Sequence, residues 1–297
     1  MTVYPCVKVN LGLNVLRKRP DGFHDIETLF VPSGEYHDVL EVIAADDWSR
    51  TSASLFSRYG TPSPRCQDSA GQGAGQGAGQ LVQAISGDGK LMITIARQEG
   101  VDWNPLDDLC ARAYGLLDKD FCLPPAKIFL EKLSPVGAGL GGGSADAAYT
   151  IKELNRLFSL GLDDAAMASY ASRLGSDCAF FIYGRPMFGE GRGEILSDFP
   201  LPVLESLDLK IIAPEGISVS TADAYRGICP KIPSVALREV LSMPVPEWKS
   251  LLVNDFEQTV FARHPELASI KQSLYDSGAV YASMSGSGSA LFAIYEK

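Results

Sequence analysis

Residues 135–148 read PVGAGLGGGSADAA, a glycine-dense stretch that runs into small and apolar residues at helical spacing. Glycine lets main-chain N–H groups approach an anion closely, and the start of a helix adds a favourable dipole. The stretch is therefore expected to be a phosphate-holding loop that opens a helix. Ala147, Ile151, Leu154 and Phe158 continue at helical spacing and give that helix a stripe to pack on a sheet. Ser144 is placed either to cap the helix or to stand near a metal. The spacing alone leaves more than one reading open. Gly137, Gly139 and Gly142 also satisfy G-x-G-x-x-G, with Asp163 about twenty residues on, which is the pattern of a dinucleotide-binding fold. Against that reading, the preceding segment carries Lys127 and Glu131 where a central parallel strand is nearly continuous apolar, and Asp163 is expected to open a helix. The Walker A form fails because no Gly-Lys-Ser/Thr follows.

Before the loop, Val7, Val9, Leu11 and Leu13 alternate with Lys8, Asn10, Gly12 and Asn14, a half-buried strand over residues 7–15. Arg19, Pro20, Asp21 and Gly22 supply a turn, and residues 23–31 return as its hairpin partner. Further strands are expected at 38–44, 91–96, 126–133, 178–183 and 207–213, with helices at 106–117 and 163–174 and mainly helix from 234 to 277. The end of the chain, AVYASM, SGSGS, ALFAIY, reads as strand, turn, strand. Residues 46–80 are rich in Ser, Gly, Gln and Pro and end in GQGAGQGAGQ; with little to bury, they are expected to form a mobile surface insertion. Strands gather before helices within each half, which indicates an α+β chain of two domains.

The bulk composition excludes some classes. A length of 297 residues suits two medium domains. A formal net charge of -10 argues against a broad nucleic-acid surface, which relies on clustered Lys and Arg. The six cysteines lie far apart, without C-x-x-C, and are expected to be free thiols, mostly small core residues, in a cytoplasmic protein with no zinc site and no membrane span.

The segment Pro135, Val136, Gly137, Ala138, Gly139, Leu140, Gly141, Gly142, Gly143, Ser144, Ala145 resembles the central ATP-binding motif of the GHMP kinases, a family of small-molecule kinases. PCVKVNL at 5–11, RPDGFH at 19–24, GSDCAFF at 175–181, NDFE at 254–257 and MSGSGSA at 284–290 add to it. Together these motifs resemble the branch of the family that acts on a cytidine-diphosphate-linked methylerythritol. The match is collinear and covers essentially the whole chain outside 46–80. The resemblance implies a two-domain α+β GHMP kinase fold. Its ATP-binding N-terminal domain, with ribosomal-protein-S5-like topology, is expected at 1–160, and its α/β-sandwich substrate domain at 161–297, with the active site in the cleft between them. It implies ATP and Mg²⁺ as cofactors, a small-molecule alcohol substrate, and a monomer or homodimer without nucleic-acid or membrane partners.

The resemblance also assigns roles. Lys8 and Asp177 match the catalytic pair, the carboxylate taking the hydroxyl proton and the ammonium stabilising negative charge on the attacking oxygen. Asn10 shares the face of Lys8. Phe23 and His24 match positions that hold the cytosine, by stacking and by hydrogen bonding, while Tyr225 matches a second aromatic on the base, with Thr221 nearby. Three departures stand out. Val7 replaces a usual Ala, Ala145 replaces a second Ser, and Asp108 replaces an Asn, the last two bearing on phosphate and adenine contacts. Other GHMP kinases, acting on mevalonate-like or homoserine-like alcohols, are the nearest alternative. A non-catalytic nucleotide-binding protein on the same fold, or a dinucleotide-dependent oxidoreductase, is more distant.

Overall fold

The computed structural model describes residues 1–64 and 79–297, which divide into two compact units interleaved along the chain. The first comprises Met1–Cys6, Tyr36–Ser134 and Gly142–Tyr183; the second comprises Val7–Glu35, Pro135–Gly141 and Gly184–Lys297. The expected boundary after residue 160 thus falls inside the first unit.

The first unit is built on a six-stranded sheet in the order Thr2–Val3, Val39–Ala44, Ala126–Lys132, Leu91–Arg97, Gln80–Ile85, Ser63–Pro64. Its central strand, Ala126–Lys132, is antiparallel to Val39–Ala44 and parallel to Leu91–Arg97. Strand alternation sends Ile128, Leu130 and Lys132 to one face and Phe129 and Glu131 to the other. The Gly142–Leu157 helix packs beside Val39–Ala44 and is joined by helices Leu109–Phe121, Asp164–Ser172 and Cys178–Tyr183. On the face of Phe129, a helix at Thr51–Tyr59 places Leu55 in a cluster with Ile43, Leu81, Ala96 and Phe129.

That helix corrects two expectations. Residues 51–59 are not a loop: Leu55 is 0% exposed, and Glu41 receives the helix-opening N–H groups of Arg50 and Thr51, each at 3.0 Å. Although burial opposes it, hydrogen bonds including those from Ser49 and Thr51 hold the Glu41 carboxyl below its usual range. Nor does Glu131 keep its strand from the centre of the sheet. It is fully buried beneath the helix, accepting from Arg58 Nη2 at 2.6 Å and the Tyr59 hydroxyl at 2.9 Å. The Tyr59 phenol is pushed up to about 12, by burial and then by this carboxylate. The strand before the glycine loop is therefore buried and central, with Glu131 paired to Arg58 and Lys132 paired to Asp38 and Asp146. The GQGA tract at 71–78 lies outside the described residues. Leu55→Ala is expected to lower stability by about 2–5 kcal/mol in denaturant unfolding. A loss below about 0.5 kcal/mol, typical of a surface loop, would contradict the packed helix.

In the second unit, a four-stranded sheet runs Ile195–Asp198, Met187–Glu190, His24–His37, Cys6–Lys18, and a three-stranded sheet runs Leu207–Ile212, Leu291–Glu296, Tyr281–Met284. Helices Leu237–Leu241, Val245–Leu251, Phe256–Arg263 and Pro265–Asp276 occupy the expected helical region. A core of Leu13, Val15, Ile26, Phe256, Val260, Leu267, Met284 and Leu291 joins strands to helices. Residues 178–183 are corrected from strand to the helix Cys178–Tyr183: CAFFIY is almost wholly buried, and a short run buried on every side carries no period to tell helix from strand. Of the described cysteines, Cys110 and Cys178 are buried, Cys6 is half-buried, and Cys122 and Cys229 are exposed, so fewer serve the core than expected. No helix among the described residues is long and apolar enough to cross a membrane.

Candidate active site

Alternation along Cys6–Lys18 turns Lys8 and Asn10 the same way, and both are buried, at 3% and 2% exposure. The Lys8 ammonium donates to Asn10 Oδ1 at 2.5 Å and to the Gly139 carbonyl at 3.0 Å, and its main-chain N–H donates to the Leu140 carbonyl at 2.9 Å. The Asn10 amide in turn donates to Thr28 Oγ1 at 3.0 Å. Its amide is thus engaged at both ends, which makes Asn10 a support for the lysine in this arrangement. The glycine loop and the lysine, far apart in sequence, meet within one unit.

The loop packs on the terminal S-G-S-G-S turn. Gly137, Gly139 and Gly141 have φ of +73°, +79° and +74°, a region that disfavours side chains. At Gly139 space forbids one as well, since an added Cβ would fall 2.2 Å from the Ser285 carbonyl oxygen. Ser285 Oγ donates to the Gly139 carbonyl at 3.0 Å, and the Ala290 N–H donates to the Ala138 carbonyl at 3.0 Å. The NDFE motif explains itself here. Asn254 Nδ2 donates to the carbonyls of Met284 and Gly286, at 2.7 and 2.9 Å, and Glu257 accepts the Met284 N–H at 2.9 Å. These residues hold the turn that holds the loop.

The aromatic residues also lie in this unit. Phe23 is 53% exposed, with the Arg192 guanidinium 5.0 Å from its ring centre. His24 stacks on Tyr225 at 4.6 Å and 16°, and Tyr225 meets Phe256 edge-on. One face of Tyr225 is therefore covered by His24. Desolvation, then Lys18, lowers the His24 pKa, so its imidazole is neutral at pH 7. Thr221 begins the helix Thr221–Tyr225 and lies 3.3 Å from the Ser287 hydroxyl of the terminal turn.

In the first unit, Gly142 and Gly143 open the long helix, with Gly143 exposed and Ser144 half-buried. The Cys178 thiol is pushed up to about 11, by burial first and also by neighbouring Asp177, while Ser144 acts to lower it. Asp177 is half-buried in the turn directly before Cys178–Tyr183, with the Ser176 hydroxyl 3.4 Å from its Oδ1. Ala145 is fully buried, so a serine there would point a hydroxyl into the core. Asp108 caps the Leu109–Phe121 helix through the Cys110 N–H at 2.9 Å and accepts from Trp103 Nε1 at 3.1 Å. An Asn could perform the cap, but its amide nitrogen, a donor, could not accept the Trp103 N–H in the second place.

One cluster was not anticipated. Lys132 bonds to both Asp38 and Asp146, all three buried; Asp38 Oδ1 also accepts the N–H groups of Leu133 and Ser134, each at 2.7 Å, and its Oδ2 accepts the Ser134 hydroxyl at 2.8 Å. Asp146 Oδ1 has no hydrogen-bond partner, and burial pushes the Asp146 carboxyl well up. A lysine ending a strand and an aspartate on the buried stripe of the next helix are the sequence signals for this cluster.

The GHMP kinase N-terminal family model matches residues 108–185, and the GHMP kinase C-terminal model matches 243–297. A 4-diphosphocytidyl-2-C-methyl-D-erythritol kinase of Bacteroides thetaiotaomicron is 42% identical over 296 residues, covering 100% of this chain and 92% of the relative. One of Parabacteroides distasonis is 37% identical over 297 residues, with the same two coverages. A crystal structure of 4-(cytidine 5'-diphospho)-2C-methyl-D-erythritol kinase superposes with a TM-score of 0.70 at 28% identity, over 99% of this chain and 89% of that one. A homoserine kinase of Cytophaga hutchinsonii, at 17% identity and a TM-score of 0.56 over 99% of this chain and 86% of its own, shares the fold.

Proposed function

The chain belongs to the GHMP kinase family, in its 4-diphosphocytidyl-2-C-methyl-D-erythritol kinase branch, and from that premise we propose how its residues divide the work. It is an ATP-dependent small-molecule kinase that phosphorylates a hydroxyl of 4-diphosphocytidyl-2-C-methyl-D-erythritol to give the 2-phosphate, a step of the methylerythritol phosphate route to isoprenoids. The carrying observation is the full-length likeness to curated kinases of that name. The packing of glycine loop, Lys8 and terminal turn in one unit supports it.

Phosphoryl transfer needs positioning and charge neutralisation more than covalent help from the protein. Asp177 accepts the hydroxyl proton, and Lys8 stabilises the charge that develops on the attacking oxygen. The segment from Pro135 to Ala145 holds the ATP phosphates through main-chain N–H groups and the helix start. The Ser144 hydroxyl would be the protein neighbour of Mg²⁺, which would supply charge neutralisation on those phosphates. Phe23 stacks on the cytosine and neutral His24 hydrogen-bonds to it, with Asn10, Thr221 and Tyr225 shaping the substrate side. The enzyme acts in the cytoplasm.

An ADP-release assay offering this substrate beside mevalonate, homoserine and galactose tests the reading. Turnover is expected with the cytidine-linked alcohol, and a preference for any of the others would overturn the assignment. Phe23→Ala is expected to raise KM for the substrate about 5- to 150-fold, the loss of one base–aromatic stack, with KM for ATP unchanged. An unchanged substrate KM would remove Phe23 from the site.

A further inference from the structure

We propose that Ser134 and Gly142 form a closure at the base of the phosphate loop, and that Asp38, acting through Lys132 and Asp146, holds it shut. These are positioning residues for ATP, and the inference rests on the kinase reading above. Ser134 is the last residue before Pro135–Gly141, and Gly142 is the first after it, so the two ends of the loop return to one place in the first unit. A Cβ added at Gly142 would stand 2.6 Å from Ser134 Oγ, so the Ser134 hydroxyl fills the space a side chain there would need. The Ser134 side chain is not free to turn aside, because its hydroxyl donates to Asp38 Oδ2 and its N–H to Asp38 Oδ1. Ser134 is 5% exposed and Asp38 is fully buried, so no water shell offers a cheap replacement for either bond.

The same carboxylate holds Lys132, whose ammonium reaches Asp146 one turn into the helix that leaves the loop. One buried ammonium therefore ties the strand that enters the loop to the helix that leaves it. Two carboxylates against one ammonium is an expensive arrangement in a buried site, and Asp146 Oδ1 is left without a partner. A core needing stability alone would do as well with apolar residues there. What apolar residues cannot do is fix the separation of the loop's two ends, and a loop whose ends are fixed loses less conformational freedom when it closes on a ligand.

This gives Gly142 a reason to be glycine that differs from close approach to a phosphate. After Ser134 Oγ, the next atoms around the added Cβ are Asp38 Oδ2 and Lys132 Nζ, both at 3.6 Å, an ordinary contact distance. Removing the hydroxyl therefore makes room for the methyl. The experiment compares Gly142→Ala, Ser134→Ala and the double variant by steady-state KM for ATP and for the alcohol, with ADP binding by calorimetry. Gly142→Ala is expected to raise KM for ATP about tenfold and Ser134→Ala about twofold, while the double variant recovers most of the Gly142→Ala loss, with KM for the alcohol unchanged throughout. A double variant no better than Gly142→Ala, or a Gly142→Ala enzyme with wild-type KM for ATP, would overturn the closure. Asp38→Asn adds an independent check: a raised KM for ATP at constant alcohol KM supports positioning, and lowered thermal stability with both KM values unchanged overturns it. A wild-type chain that binds ADP but transfers no phosphate would sink the kinase reading, while the ADP affinities of the variants would still decide the closure.

Discussion

Asp177→Asn is expected to lower turnover by about 10²–10⁴-fold, the scale of losing a general base, with ATP binding nearly intact. The carboxamide keeps the shape of the side chain but cannot take a proton from an alcohol near neutral pH. Asp177 is half-buried in the turn before Cys178–Tyr183, and asparagine matches it in size. The comparison is turnover at saturating ATP and alcohol beside nucleotide binding by calorimetry. Near-normal turnover removes Asp177 from the chemistry.

Lys8→Met is expected to lower turnover by about 10²–10³-fold, the range seen when one preorganised electrostatic group is removed. Methionine keeps the apolar stem beneath Phe30, whose ring centre lies 5.5 Å from the ammonium, and deletes the charge. The Gly139 carbonyl would keep its bond from Ser285 but lose the one from Lys8, so a modest rise in KM for ATP should accompany the larger loss in turnover. Lys8→Arg should not rescue. The ammonium sits 2.5 and 3.0 Å from two acceptors in a site 3% exposed, where a planar guanidinium has no room for its fork. Turnover of Lys8→Met within tenfold of wild type, or full activity of Lys8→Arg, would contradict a catalytic ammonium at this position.

Local patterns carried the reading where one face of an element is polar. The alternation of Lys8 and Asn10 against Val7, Val9 and Leu11 was legible as a strand, and both polar side chains do lie together. Asp163 was legible as the start of a helix and caps Asp164–Ser172 through the Ala166 N–H. Patterns failed where burial is uniform or where partners are remote. CAFFIY at 178–183 has no polar position to set a period. The helix Thr51–Tyr59 was hidden by serines, and the weight of Leu55 shows only once Ile43, Leu81 and Phe129 surround it. Glu131 argued against a central strand because Arg58, which neutralises it, and Tyr59, which donates to it, are about seventy residues away. The stack of His24 on Tyr225 and the Asp38–Lys132–Asp146 cluster also join distant segments, which spacing along a chain cannot show. Ala145 was singled out for phosphate contacts, yet it is a core residue, and its departure from serine is explained by packing.

The central claim, transfer of the ATP γ-phosphate to the cytidine-linked alcohol, is tested most directly by ³¹P NMR of the chain incubated with ATP, Mg²⁺ and 4-diphosphocytidyl-2-C-methyl-D-erythritol. The expected result is a new phosphomonoester resonance that grows one for one with ADP, while the diphosphate bridge of the substrate stays intact. ADP appearing with inorganic phosphate and no new monoester would contradict the account.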